Sequence, residues 1–173
     1  MTHQYICNNM NIGVDNMAIR NIRKDGDEIL RKKSKEVDAI NEKVLMLLQD
    51  MADTLYKANG VGLAAPQVGV LKRVVVIDVG DGLVELVNPV FKSQSGQQCM
   101  AEGCLSVPGV YGEVNRPSNV IVEALDSKGN KVVIEGEGLL AIALCHEIDH
   151  LDGILFKDKA IRFLDKDELK GDD

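Results

Sequence analysis

His146, Glu147 and His150 stand within one apolar run, GLLAIALCHEIDHLDG, from Gly138 to Gly153. Read as a helix, the run places the two imidazoles four residues apart on one face, with Glu147 turned about 100° from His146. That spacing lets both rings reach one metal ion while the carboxylate beside them serves as a base. A helical histidine pair satisfied by hydrogen bonds is the plainer reading. Against it, charges on so apolar a helix are costly to bury unless paired or ligated.

On the same wheel Leu139, Ile142 and Ala143 lie within about 60° of the histidines and form an apolar floor beside them. Ala141, Leu144 and Ile148 point the other way, so the helix is apolar all round and is expected to run through the middle of the domain, with Gly153 in the left-handed position that closes it.

Two histidines need a third ligand. Of the three histidines in the sequence, His3 sits in a polar tail, so a cysteine or a carboxylate has to complete the set. Glu168 follows the second histidine at a protease-like distance but stands in a charged terminal stretch, and Phe156 occupies the position where one metalloprotease class has its third histidine. Cys145 faces about 120° away on the wheel. Cys99 remains open, and Cys104, in EGCLSVPG from Glu102 to Gly109, is better placed.

The elements that must position these residues follow from length and pattern. The 173 residues suit one domain, their hydrophobic share of 45% is ordinary, and the net charge of -7 offers no basic surface for nucleic acid. No apolar run approaches the ~20 residues that span a bilayer, and four cysteines without a secretory signal suggest free thiols in the cytoplasm. Residues 1–16 read as a loose extension, and residues 17–173 as a single catalytic domain ending in a short acidic tail. Apolar positions from Val44 to Ala58 predict an N-terminal amphipathic helix capped by Asn41 and stopped at Asn59-Gly60.

GVGLAAPQVG, from Gly60 to Gly69, reads as a glycine-rich loop without the lysine of a phosphate loop. Arg73–Val79 with Leu83–Val87 predict a hairpin, Val90–Gln98 a further strand, and Asn119–Leu125 with Lys131–Glu135 a second hairpin. The expected fold is α+β, with antiparallel sheets packed around one central buried helix that carries HExxH.

GVGLAAPQ, EGCLS and HEIDH, in that order and spacing, resemble the three signature motifs of the peptide deformylases, over a stretch from about Met17 to Phe156. The resemblance implies Cys104, His146 and His150 as ligands of one divalent metal, Fe(II) in the native enzyme, with nickel, cobalt or zinc as substitutes. It implies Glu147 as the proton carrier and Gln67 with the backbone N–H of Leu105 as the oxyanion donors. The implied substrate is a nascent peptide with an N-terminal formyl-methionine. Its side chain would enter a slot formed by Val61, Gly62, Leu105, Leu139, Ile142 and Ala143, while its backbone adds as a strand along Val61 and Gly103.

The same resemblance assigns Glu102 to orienting the second motif and suggests a transient contact with the ribosome. The acidic C-terminal end departs from the basic helix through which some relatives touch the ribosome, and Tyr111 stands where a basic residue is common. Two rival classes are a metalloprotease using Glu168 and a catalytically idle zinc-binding or redox domain. The latter leaves Glu147 and Gln67 without a purpose.

Overall fold

The computed structural model describes residues 18–165 together with 167 and 168. The expected N-terminal extension and the end of the acidic tail lie outside them. Two helices and eight strands make an α+β fold with two antiparallel sheets among the described residues.

Helix α1 (Glu42–Lys57) starts where the Asn41 side chain accepts the N–H groups of Lys43 and Val44 at 3.1 and 3.2 Å. It ends at Asn59, whose positive φ of 51° turns the chain out of the helix. Its stripe of Val44, Leu47, Leu48, Met51 and Leu55 is buried.

That stripe meets one face of a five-stranded sheet ordered β1 (Gly62–Ala64), β2 (Val74–Ile77), β3 (Val84–Ser95), β6 (Asn119–Leu125) and β7 (Lys131–Glu137). Strand β2 reads VVVI without alternation because both its faces are covered. Val74 and Val76 pack towards α1, whereas Val75 and Ile77 pack towards helix α2 (Gly138–Leu151) with Leu144, Cys145 and Ile148. Full burial of a side chain such as Leu144 contributes roughly 1.5–3 kcal/mol. Beyond α2 the turn at Gly153 (φ 76°) passes so close to the Arg31 carbonyl that a Cβ there would lie 2.5 Å from its oxygen.

A second sheet, ordered β4 (Gln98–Cys104), β5 (Val107–Arg116) and β8 (Ala160–Leu164), faces the other side of the site. Its inner residues Val107 and Val114 share a small core with Leu30, Leu155 and Phe156.

The strands around the site differ from those expected. Val90–Gln98 is not a separate strand, because β3 runs through Asn88, whose φ of 54° and hydrogen bonds to the Val37 backbone bulge the strand without ending it. Gln98 instead opens β4. In the segment 102–109, Glu102, Gly103 and Cys104 end β4 and Val107 begins β5, with a bulge between Gly103 and Cys104. GVGLAAPQVG is partly ordered as β1 and a 3-10 turn over Ala65–Val68. The stretch after Phe156 is not all solvated tail, as β8 pairs with β5 from Val114 to Tyr111.

Candidate metal centre

Helix α2 and strand β4 arrive at one point from opposite sides. His146 and His150 leave α2 on the same face with ring centroids 4.9 Å apart, and Cys104 sits at the bulged end of β4. One donor atom from each of these three residues lies within 4.8 Å of the others, and the Cys104 Sγ to His150 Nε2 distance is 3.3 Å. This is the one such grouping of histidine, cysteine and carboxylate among the described residues.

The grouping fits a cation by size and chemistry. Donors about 2.0–2.3 Å from a tetrahedral ion stand roughly 3.3–3.8 Å from each other, inside the observed spread. A thiolate and two imidazoles are the donors a transition metal prefers. Glu147 Oε2 and His150 Nδ1 are buried without a hydrogen-bond partner in the protein.

A buried chain of charges sets the ring of His146. Its Nδ1 stands 2.8 Å from Glu102 Oε2, so Nδ1–H donates to the carboxylate and Nε2 is the ring nitrogen that could hold a cation. Arg116 grips Glu102 with a fork, Nε to Oε1 at 2.7 Å and Nη2 to Oε2 at 3.0 Å, and its Nη1 donates to Asp149 Oδ2 at 2.6 Å. Lys159 closes the chain on Asp149 at 2.7 Å.

Burial alone would raise the Glu102 carboxyl, but the hydrogen bonds from His146 and Arg116 hold it down at about 2. Burial likewise opposes the charged form of His146, yet its bonds to Cys104 and Glu102 push it up to about 10. His150 goes the other way, driven well below its ordinary value by burial and by the neighbouring positive charges of His146, Arg116 and Arg31.

Because Arg116 and Glu102 are each about 3% exposed, removing one partner leaves a buried charge uncompensated. Arg116→Met is expected to destabilise the fold by about 3–5 kcal/mol in chemical denaturation. A loss below about 1 kcal/mol would place the pair in the class of surface bridges.

Glu147 lies beside this grouping, buried, with its carboxyl raised to about 7. Burial is the leading cause, and the Glu102 and Asp149 charges add to it against His146 and Arg116. The backbone of Gly62 passes so near that a Cβ there would stand 2.3 Å from Glu147 Oε1, which is why this strand position is glycine.

Gln67 is held by the 3-10 turn: its Oε1 accepts the Ala64 N–H at 2.8 Å, and its Nε2 points to Ser106 Oγ at 3.1 Å and Cys104 Sγ at 3.5 Å. Leu105, next to Cys104, lines the same cavity of about 600 Å³. Val61, Gly62, Gly103, Leu139, Ile142 and Ala143 line it as well.

The alternatives for the third ligand lie elsewhere. Glu168 is exposed and paired with Arg162, Cys99 is exposed further back on β4, and Cys145 is packed into the core on the far side of α2. Arg116, Asp149 and Ser106 were missed by sequence reasoning. Asp149 alone carried a local signal, as a second acidic group inside HEIDH.

The model of the polypeptide deformylase family matches residues 19–166. The peptide deformylase of Acetivibrio thermocellus is 69% identical over 154 residues, covering 89% of this chain and 91% of its own. That of Caldanaerobacter subterraneus is 62% identical over 155 residues, covering 90% and 98%. Among solved structures, the peptide deformylase of Legionella pneumophila superposes with a TM-score of 0.80 at 50% identity over 82% of this chain and 86% of its own. The Thermotoga maritima enzyme gives 0.81 at 38% over 82% and 97%.

Proposed function

The chain belongs to the polypeptide deformylase family, metal-dependent hydrolases that remove the formyl group from the N-terminus of nascent peptides, and we propose how its own residues divide that work. Cys104, His146 and His150 hold the divalent ion, which the donor set suits as native Fe(II), with nickel, cobalt or zinc as substitutes. The convergence of these three donors from a helix and a strand end is the observation that carries this reading. The bound ion supplies Lewis acidity, acidifying water and polarising the formyl carbonyl.

Glu147 takes the proton of the water that attacks the formyl carbon and delivers it to the amine nitrogen as the C–N bond breaks, leaving formate and a free N-terminus. Its unpartnered Oε2 and its buried setting support that role. Gln67 Nε2 and the Leu105 N–H hold the carbonyl oxygen as it becomes negative. The bond from Gln67 Oε1 to Ala64 fixes the amide so that its NH₂ faces the thiolate side.

Leu139, Ile142 and Ala143, with Val61, Gly62 and Leu105, form the slot for the methionine side chain. Strands β1 and β4 are the outer strands of their sheets, which leaves backbone near Val61 and Gly103 to pair with an extended peptide. The HEIDH helix is the central element of one catalytic domain, residues 17–173, preceded by the amphipathic helix α1. A nascent-peptide substrate supports a cytoplasmic enzyme in transient contact with the ribosome. Among the described residues no helix is long and apolar enough to cross a membrane.

Formate release from a formyl-methionyl peptide by iron- or nickel-loaded protein tests the assignment. Turnover is expected, and Gln67→Leu is expected to lower kcat by about 10²–10³-fold, the loss typical of one oxyanion donor. Undiminished turnover in that variant would remove Gln67 from the site.

A further inference from the structure

The segment Ile22–Asp25 crosses the mouth of the cavity and ties together the two loops that flank the thiolate. Arg23 N–H donates to the Gln67 carbonyl at 2.7 Å, and Asp25 N–H donates to the Ser106 carbonyl at 2.8 Å. Between them the Lys24 ammonium donates to the Leu105 carbonyl at 2.6 Å, and both Ile22 and Lys24 line the cavity. Ile22 also packs against the core beneath α1, which anchors the strap.

The Leu105 carbonyl and the Ser106 N–H belong to one peptide unit, and that N–H donates to Cys104 Sγ at 3.4 Å. A cation on the oxygen end of a peptide draws electron density along it and makes the N–H end a stronger donor. The line from Lys24 Nζ through this peptide to Cys104 Sγ is therefore a path by which a surface charge reaches the metal thiolate.

We propose that Lys24 is a positioning residue for the reaction: seated on the Leu105 carbonyl, it strengthens the Ser106 N–H to Cys104 Sγ bond and so tempers the electron density of the thiolate. The inference rests on Cys104 being a metal ligand. Less density on sulfur leaves the ion a stronger acid, so losing the ammonium slows the chemical step without changing the slot that binds methionine. Lys24 is exposed, and solvent screens its charge, so the effect is severalfold at most.

The test uses the full chain loaded with Co(II), comparing wild type, Lys24→Met and Lys24→Arg. In Lys24→Met the thiolate-to-cobalt charge-transfer band should move to longer wavelength, and kcat should fall on the order of threefold with KM and thermal midpoint held. Lys24→Arg should restore both. An unmoved band in Lys24→Met, or a rise in KM at constant kcat, would overturn the proposal, the latter making the ammonium a substrate contact. A wild-type protein with no thiolate band would instead overturn Cys104 as a ligand, and the proposal with it.

Discussion

Glu147→Gln is expected to lower kcat/KM for a formyl-methionyl peptide by about 10²–10⁴-fold, the range for losing a positioned general acid and base. The amide keeps the shape of the carboxylate against Gly62, so bound metal and KM should change little. The loss should therefore fall on kcat, as for an interaction made only in the transition state.

Stability should move in the opposite sense. Burial raises the Glu147 carboxyl to about 7, above its ordinary value near 4.5, so the folded chain holds that proton more tightly than the unfolded chain. Ionising Glu147 then costs stability as pH rises between those two values, and the glutamine variant escapes the cost. Its thermal midpoint at neutral pH should hold or rise. A variant that retained wild-type kcat would transfer the proton work to another group.

Cys104→Ser should abolish turnover by a different route, through loss of the ion. Disturbing only the outer partners of metal-ligating histidines weakens metal affinity about 10–100-fold. Replacing a ligand itself should exceed that range, and the variant should emerge from dialysis with little bound metal. Cys104 is only half-buried at the edge of its small core, so the fold should survive the exchange. Full metal content in Cys104→Ser would leave the two histidines with some other partner.

The parts of this site that were legible in sequence are the local ones. His146, Glu147 and His150 could be placed because helical spacing fixes their mutual direction within two turns, and Leu139, Ile142 and Ala143 followed from the same wheel. The antiparallel strands Val74–Ile77, Asn119–Leu125 and Lys131–Glu137 announced themselves through β-branched residues.

The hairpin that delivers Cys104 did not. Strand β4 reads QCMAEGC, without a single β-branched side chain, and its pairing with β5 is set by tertiary contacts. That hairpin sets Arg116 opposite Gln98, from where its side chain reaches along the sheet to Glu102, so the clamp was invisible until the strands were paired. Strand β8 was hidden for the opposite reason. Its large apolar residues Ile161 and Phe163 are 60% and 56% exposed, which leaves no inward-facing alternation to read.

X-ray absorption of the zinc-loaded chain at the metal edge tests the central claim most directly. One metal per chain is expected, with a single sulfur at about 2.3 Å and two nitrogens at about 2.0–2.1 Å, the sulfur disappearing in Cys104→Ser. A shell of nitrogen and oxygen alone in the wild-type protein would contradict it.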